Sequence, residues 1–253
     1  MTMRPRTIAI AGAIAYAIFL VALIPASFVA ERVTAATAGH VAIANAGGTL
    51  WNGSARVRLT VAGGWLDLDN VEWHFAPLAL GTGRLAFDAS ATAQGIDAKA
   101  RLARAFGAWE LANAAVSASL PAVSTLAPVA ARWRPEGRLL VDVAKWEWNG
   151  RGARGDATVE WRDAALSLSD VKPFGSYRAV ATGDGATTQL AVSTVGGPLQ
   201  VSGKGNAGPA LITFSGEARA ADASTAKALE PLLDLIGPRR PDGARSLELR
   251  IGL

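Results

Sequence analysis

From His40 to the C-terminus, apolar and polar residues alternate with period two, the spacing of strands that bury one face and wet the other. Val57, Leu59 and Val61 alternate with Arg56, Arg58 and Thr60, and Leu66 and Leu68 alternate with Asp67 and Asp69. Leu85, Phe87, Ala89 and Ala91 alternate with Arg84, Ala86, Asp88, Ser90 and Thr92, and the pattern returns at Leu166/Leu168, Leu199/Val201 and Leu247/Leu249/Ile251. Turn formers punctuate these runs: Gly-Gly at 47–48, 63–64 and 196–197, Asn149-Gly150, and Gly183-Asp184-Gly185. All tolerate the positive φ of tight hairpins. The pattern predicts an all-β domain: a mainly antiparallel, curved sheet in which sequential strands pair as a meander and one face is apolar throughout.

Three segments depart from the alternation. Residues 7–30 carry no charge, more than the roughly 20 residues a helix needs to cross a hydrocarbon core of about 30 Å, and Arg4 and Arg6 precede them. This predicts a cytoplasmic tip over 1–7, one transmembrane helix over 8–30 and a β domain over 31–253 outside that membrane, oriented by the positive-inside rule. The rival is a cleaved signal peptide cut near Val33-Thr34-Ala35. The apolar run exceeds the usual signal core of about 7–15 residues and no A-x-A site directly follows it, which favours the uncleaved anchor. Ala9, Ala13 and Ala17 form a small-residue stripe, in a chain where alanine is common.

The second departure, Pro121–Trp133, reads as a short, proline-interrupted helix or loop. The third, Ala221–Gly237, reads as a short amphipathic helix: Asp222 stands where a cap belongs, Leu229, Leu232, Leu233 and Ile236 fall on one stripe, and Gly237-Pro238 stops it. Val-Glu-Trp occurs at 71–73 and again at 159–161. The repeat is compatible with two similar halves, 40–120 and 135–253, although the flanking intervals align poorly.

Composition narrows the chemistry. The 253 residues contain no cysteine, which removes disulfides, thiolate metal sites and cysteine nucleophiles together. The net charge of +4 includes Arg4 and Arg6, so the β domain is close to neutral, and no run of basic residues points to nucleic acid. Gly203, Gly205 and Gly208 fit a G-x-G-x-x-G string, but Pro209 and a strand-like run follow where a phosphate-binding helix would have to start. His40 and His74 are too few for a histidine-rich metal site, and nucleophile-elbow and zinc-helix motifs are absent. Asn52-Gly53-Ser54 matches a glycosylation sequon, and turn chemistry explains it without a sugar. No catalytic residue, cofactor site or metal site is expected. What remains is heavy tryptophan use, eight residues in all, read as core packing or as an apolar docking surface.

Three stretches carry a family likeness. Gly48, Thr49, Leu50, Trp51 and Gly53 form the first; Trp73, Pro77, Leu80, Gly83 and Leu85 the second; Gly155, Trp161, Arg162, Asp163, Ala164, Gly175 and Tyr177 the third. With the N-terminal apolar segment and the late helix ending at Gly237, they resemble the type II secretion system protein N family (GspN). The resemblance implies a non-enzymatic accessory component, anchored in the inner membrane with its bulk in the periplasm. Such a component would assist export of folded proteins by scaffolding and docking to other secretion subunits. The family carries no catalytic residues to transfer. A looser likeness to AsmA-type bridge-like envelope proteins implies the alternative, a lipid-shielding sheet with phospholipid in an apolar groove.

Overall fold

The computed structural model describes residues 5–61, 64–124, 132–208 and 211–252, less the side chains at 5–11, 18, 61, 251 and 252. Helix α1 (Pro5–Ala22) is followed by α2 (Ala26–Ala36). Six strands come next: β1 (Val41–Gly48), β2 (Asn52–Val61), β3 (Gly64–Phe75), β4 (Leu85–Ala93), β5 (Ile96–Ala105) and β6 (Ala108–Ser119). The short helix α3 (Leu120–Val123) leads to β7 (Glu136–Trp148), β8 (Ala153–Ala165), β9 (Gly175–Asp184), β10 (Thr188–Gly196), β11 (Leu199–Ala207) and β12 (Leu211–Ala220). Helix α4 (Ala223–Ile236) and β13 (Arg245–Gly252) complete the chain, and a 3-10 helix, Pro77–Thr82, joins β3 to β4.

The thirteen strands form one antiparallel sheet in sequence order, so the expected meander is what the chain adopts. The sheet is open: β1 pairs with β2 and β13 with β12, as the first and last strands of the order. β6 pairs directly with β7, so the sheet is continuous across the boundary between residues 120 and 135. The two Val-Glu-Trp triplets end at opposite rims of this sheet, Trp73 near the close of β3 and Trp161 near the close of β8.

Register explains the binary pattern. Val57 lies opposite Leu68, Phe75 opposite Phe87, Phe87 opposite Leu102, Leu102 opposite Leu111 and Leu111 opposite Trp146. Val141, Val159, Ala179, Val192 and Gly203 continue the same face to β11. Most of these side chains are half-buried; the buried core gathers where α4 closes the sheet. The opposite face is charged and laced by cross-strand ion pairs, Arg58 with Asp67 at 2.6 Å and Arg101 with Asp88 at 2.7 Å. Bulges between Ala55 and Val57, between Lys99 and Arg101, and between Trp161 and Ala164 bend the strands while keeping the apolar face on one side.

The β1 edge is protected. α2 runs along β1, and the Ile43 backbone N–H, on the edge strand, donates to Thr34 Oγ1 at 3.3 Å. α4 packs on β12 and β13. Covering β1 with α2 in this way blocks its pairing with other chains.

The N-terminal segment differs from one helix over 8–30. α1 ends at Ala22 and a second helix starts at Ala26, because Pro25 lacks a backbone donor and biases Ile24 out of the helical region. Among the described residues no helix is long and apolar enough to cross a membrane. α1 has 18 residues, a length of about 27 Å. Asp222 occupies the N-cap position of α4, but its side chain makes no cap bond; its carbonyl instead accepts from Thr225 and Ala226. Of the helix or loop expected over Pro121–Trp133, residues 125–131 lie outside the described residues. Gly203 and Gly205 sit inside β11, which is incompatible with a phosphate-binding turn.

Candidate functional site

The strand turns fall into two rims. One holds the β1–β2, β3–β4, β5–β6, β7–β8 and β9–β10 turns and meets α1; the other holds α3, the β8–β9 loop and α4. The motif residues divide between them.

At the α1 rim, Thr49 organises the first turn: its Oγ1 accepts from the Trp51 and Asn52 backbone N–H groups at 3.3 and 3.1 Å. This presents Trp51, half-buried, toward the helix, and its indole N–H donates to the Val21 carbonyl at 2.8 Å. Val21 belongs to the last turn of α1, whose carbonyls have no partner within the helix. Leu50 N–H bonds the Ile24 carbonyl at 2.8 Å, and Thr49 bridges to Pro25. Trp73 donates its own indole N–H to the Leu50 carbonyl at 3.0 Å. Gly53 is required here because a Cβ would stand 2.5 Å from the Trp73 ring and 2.6 Å from the Gly47 carbonyl. Gly48 adopts φ +81° at the start of the same turn.

Trp51 packs at 5.0 Å from Phe75 and stacks at 6.4 Å on Phe87. With Leu80 and Leu85 the Trp51 and Phe75 rings border an apolar recess of about 550 Å³ whose other wall is Ala17, Val21 and Ala22 of α1. Pro77 opens the 3-10 helix beside it and Gly83 closes it in the left-handed conformation. Ala17 of the small-residue stripe therefore faces this recess, while the Ala9 side chain lies outside the described residues.

At the α4 rim, Trp161, Phe174 and Tyr177 cluster under Leu229, Leu232 and Leu233, with Ala164 wholly buried among them. Tyr177 Oη donates to the Leu199 carbonyl at 3.0 Å, and burial pushes its phenol above the ordinary range. Gly175 leaves the room this hydroxyl needs, since a Cβ there would lie 2.5 Å from it. Trp161 Nε1 donates to the Glu136 carbonyl at 3.0 Å. Asp163, at φ +52°, sits in the bulge, and its backbone N–H donates to Ser176 Oγ on β9 at 3.1 Å. Gly155 stands apart from both clusters, where β8 crosses the bulge in β7.

The charged face holds the strongest electrostatics. Arg162 and Arg178 both grip Glu160 and hold its carboxyl below the usual range, and Arg101 does the same to Asp88. Each acid is matched by a neighbouring base, the arrangement of a solvated sheet face. Among the described residues no three His, Asp or Glu side chains converge to hold a metal ion.

Sequence reasoning placed Trp51 at a turn but missed its partners, Val21, Phe75 and Phe87. Register carries the missing signal: pairing β3 with β4 around the Pro77–Gly83 connection puts the two phenylalanines opposite one another. It also missed Arg104, whose guanidinium lies 4.7 Å over the Trp109 ring, itself stacked on Trp148.

Comparison with known proteins adds one match. The family model for the type II secretion system (T2SS), protein N, matches residues 39–248, most of the β domain. No curated protein and no solved structure matches the chain.

Proposed function

The chain belongs to the type II secretion system protein N family, and from that premise we propose that it is a non-enzymatic, inner-membrane-anchored component whose β domain docks other secretion subunits in the periplasm. The observation that carries the anchoring is the joint between α1 and the sheet. The described large side chains of α1, among them Ile14, Tyr16, Phe19, Leu20 and Val21, are exposed, and a helix apolar all round needs a non-aqueous environment. The far end of that helix bears Arg6, with Arg4 just before it, a charge placement that supports a cytoplasmic N-terminus and a periplasmic sheet under the positive-inside rule.

Its contacts support retention of the N-terminal segment. A cut after Ala35 would remove the buried Ala26 and Ala30, the Thr34 bond to the β1 edge and the carbonyl that receives Trp51. Docking is assigned to the β domain because it leaves tryptophans exposed, Trp65, Trp109 and Trp133 among them, the kind of side chain that anchors protein partners. The lipid-shielding alternative is not favoured by the family to which the chain belongs.

The test is secretion itself. A strain lacking the chain is expected to retain type II cargo in the periplasm, and the full-length chain is expected to restore export. Normal export in the deletion strain would overturn the secretion role.

A further inference from the structure

The rim that receives α1 is also the most apolar end of the sheet. Leu78, in the 3-10 helix, is 92% exposed, and Phe106, at the tip of the β5–β6 hairpin, is 96% exposed. No other large apolar side chains among the described residues are so open. Phe106 holds a positive φ of 22°, an uncommon conformation for an aromatic residue, so the tip spends backbone strain on presenting that ring to the outside. The two elements are neighbours: a Cβ on Gly83 would lie 2.9 Å from the Phe106 ring.

Charge distinguishes this rim from the other. The turns at 49–51, 76–84, 106–107 and 149–152 contain no carboxylate, and their only charges are Arg84 and Arg151; the one acid at the turns of this rim is Asp184, whose carboxylate closes the β9–β10 turn, far along the sheet from Leu78 and Phe106. At the opposite rim the β8–β9 loop carries Asp170 and Lys172, and the β12–β13 connection carries Asp222, Glu230, Asp234 and Asp242 with several bases. Just inside the α1 rim, Arg104 lies over the Trp109 ring. Aromatic rings beside arginines suit the boundary between hydrocarbon and anionic headgroups.

We infer that the α1 rim is a membrane-contact surface: Leu78 and Phe106 insert into the outer leaflet of the bilayer that holds α1, at the headgroup–acyl boundary. The inference rests on α1 being the anchor, and it adds an orientation. The strands stand with their α1 rim on the membrane and their α4 rim pointing away, leaving the α4 rim and the sheet faces for protein partners. Side chains at such a boundary sit about 5–10 Å below the surface.

The absence of cysteine makes the test direct. Full-length single-cysteine variants Leu78→Cys, Phe106→Cys, Leu168→Cys and Tyr16→Cys, all at exposed positions, would carry an environment-sensitive fluorophore in vesicles of phosphatidylethanolamine and phosphatidylglycerol. Spin-labelled phospholipids would serve as quenchers. Labels at 78 and 106 are expected to shift to the blue and to lose most of their emission to a shallow quencher. The label at 168, on the α4 rim, is expected to stay water-exposed, and the label at 16 to be quenched by a deep probe.

Water-exposed labels at 78 and 106 beside a quenched label at 16 would overturn the membrane rim and leave the anchor standing. If the same two positions were then shielded only in native envelopes, the rim would be a protein interface instead. An unquenched label at 16 would remove the anchor; quenching at 78 and 106 in that case would still support the rim as a lipid-binding surface.

Discussion

Trp51 shows how one side chain joins two parts of the molecule. Its ring packs with Phe75 and Phe87, and its N–H satisfies a carbonyl of the last turn of α1. The two roles separate by substitution. Trp51→Phe keeps a ring and loses the bond, at about 1 kcal/mol for a net hydrogen bond. Trp51→Ala loses both; because the side chain is half-buried, the cost is about 2 kcal/mol, below the 3–5 of a fully buried aromatic. Denaturant unfolding of the full chain in detergent, followed by circular dichroism, checks the order wild type, Phe, Ala. Equal stability of the Phe and Ala variants would mean that the ring contributes nothing.

At the scale of elements, the strands were legible and their joints were not. Alternation placed Val57/Leu59, Leu66/Leu68 and Phe87/Ala89 on one face because side chains on a strand have no other choice. The late helix was readable from the stripe Leu229, Leu232, Leu233. The break before Pro25 was missed because absence of charge was followed through a residue that ends helices. The Trp161–Phe174–Tyr177 cluster was half visible: Trp161, Gly175 and Tyr177 stand in one motif, but only the register of β8 with β9 sets Trp161 opposite Tyr177. The hydrogen bond between Trp51 and Val21 spans 30 positions and leaves no periodic trace. The β1–β2 turn yields its own prediction. Gly53→Ala should cost about 1–3 kcal/mol by pushing the Trp73 ring or the Gly47 carbonyl aside; unchanged denaturant unfolding would show that the turn relaxes freely.

For the molecule as a whole, a sheet with one half-buried apolar face leans on its charged face for register and solubility. Asp67, Asp88, Glu147 and Glu160 are held below their ordinary range, chiefly by hydrogen bonds from Arg58, Arg101, Lys145 and Arg162 respectively. Their folded values lie below the unfolded ones. Their contribution is therefore present above the unfolded pKa of about 4 and is lost as pH falls through the folded values. The melting temperature should be flat from about pH 5 to 8 and fall below about pH 4, less steeply in high salt because these pairs are exposed. A flat profile down to pH 3 in low salt would show that the pairs add nothing to stability.

The central claim is that the β domain serves secretion while fixed to the inner membrane through α1. It is tested most directly by replacing residues 1–24 with a cleavable signal sequence, which releases the domain with α2 intact, and measuring cargo export in the deletion strain. Immunoblotting of the periplasm confirms that the released domain accumulates. The account predicts normal accumulation with cargo retained in the periplasm, against full export with the native chain. Full export by the released domain would contradict it.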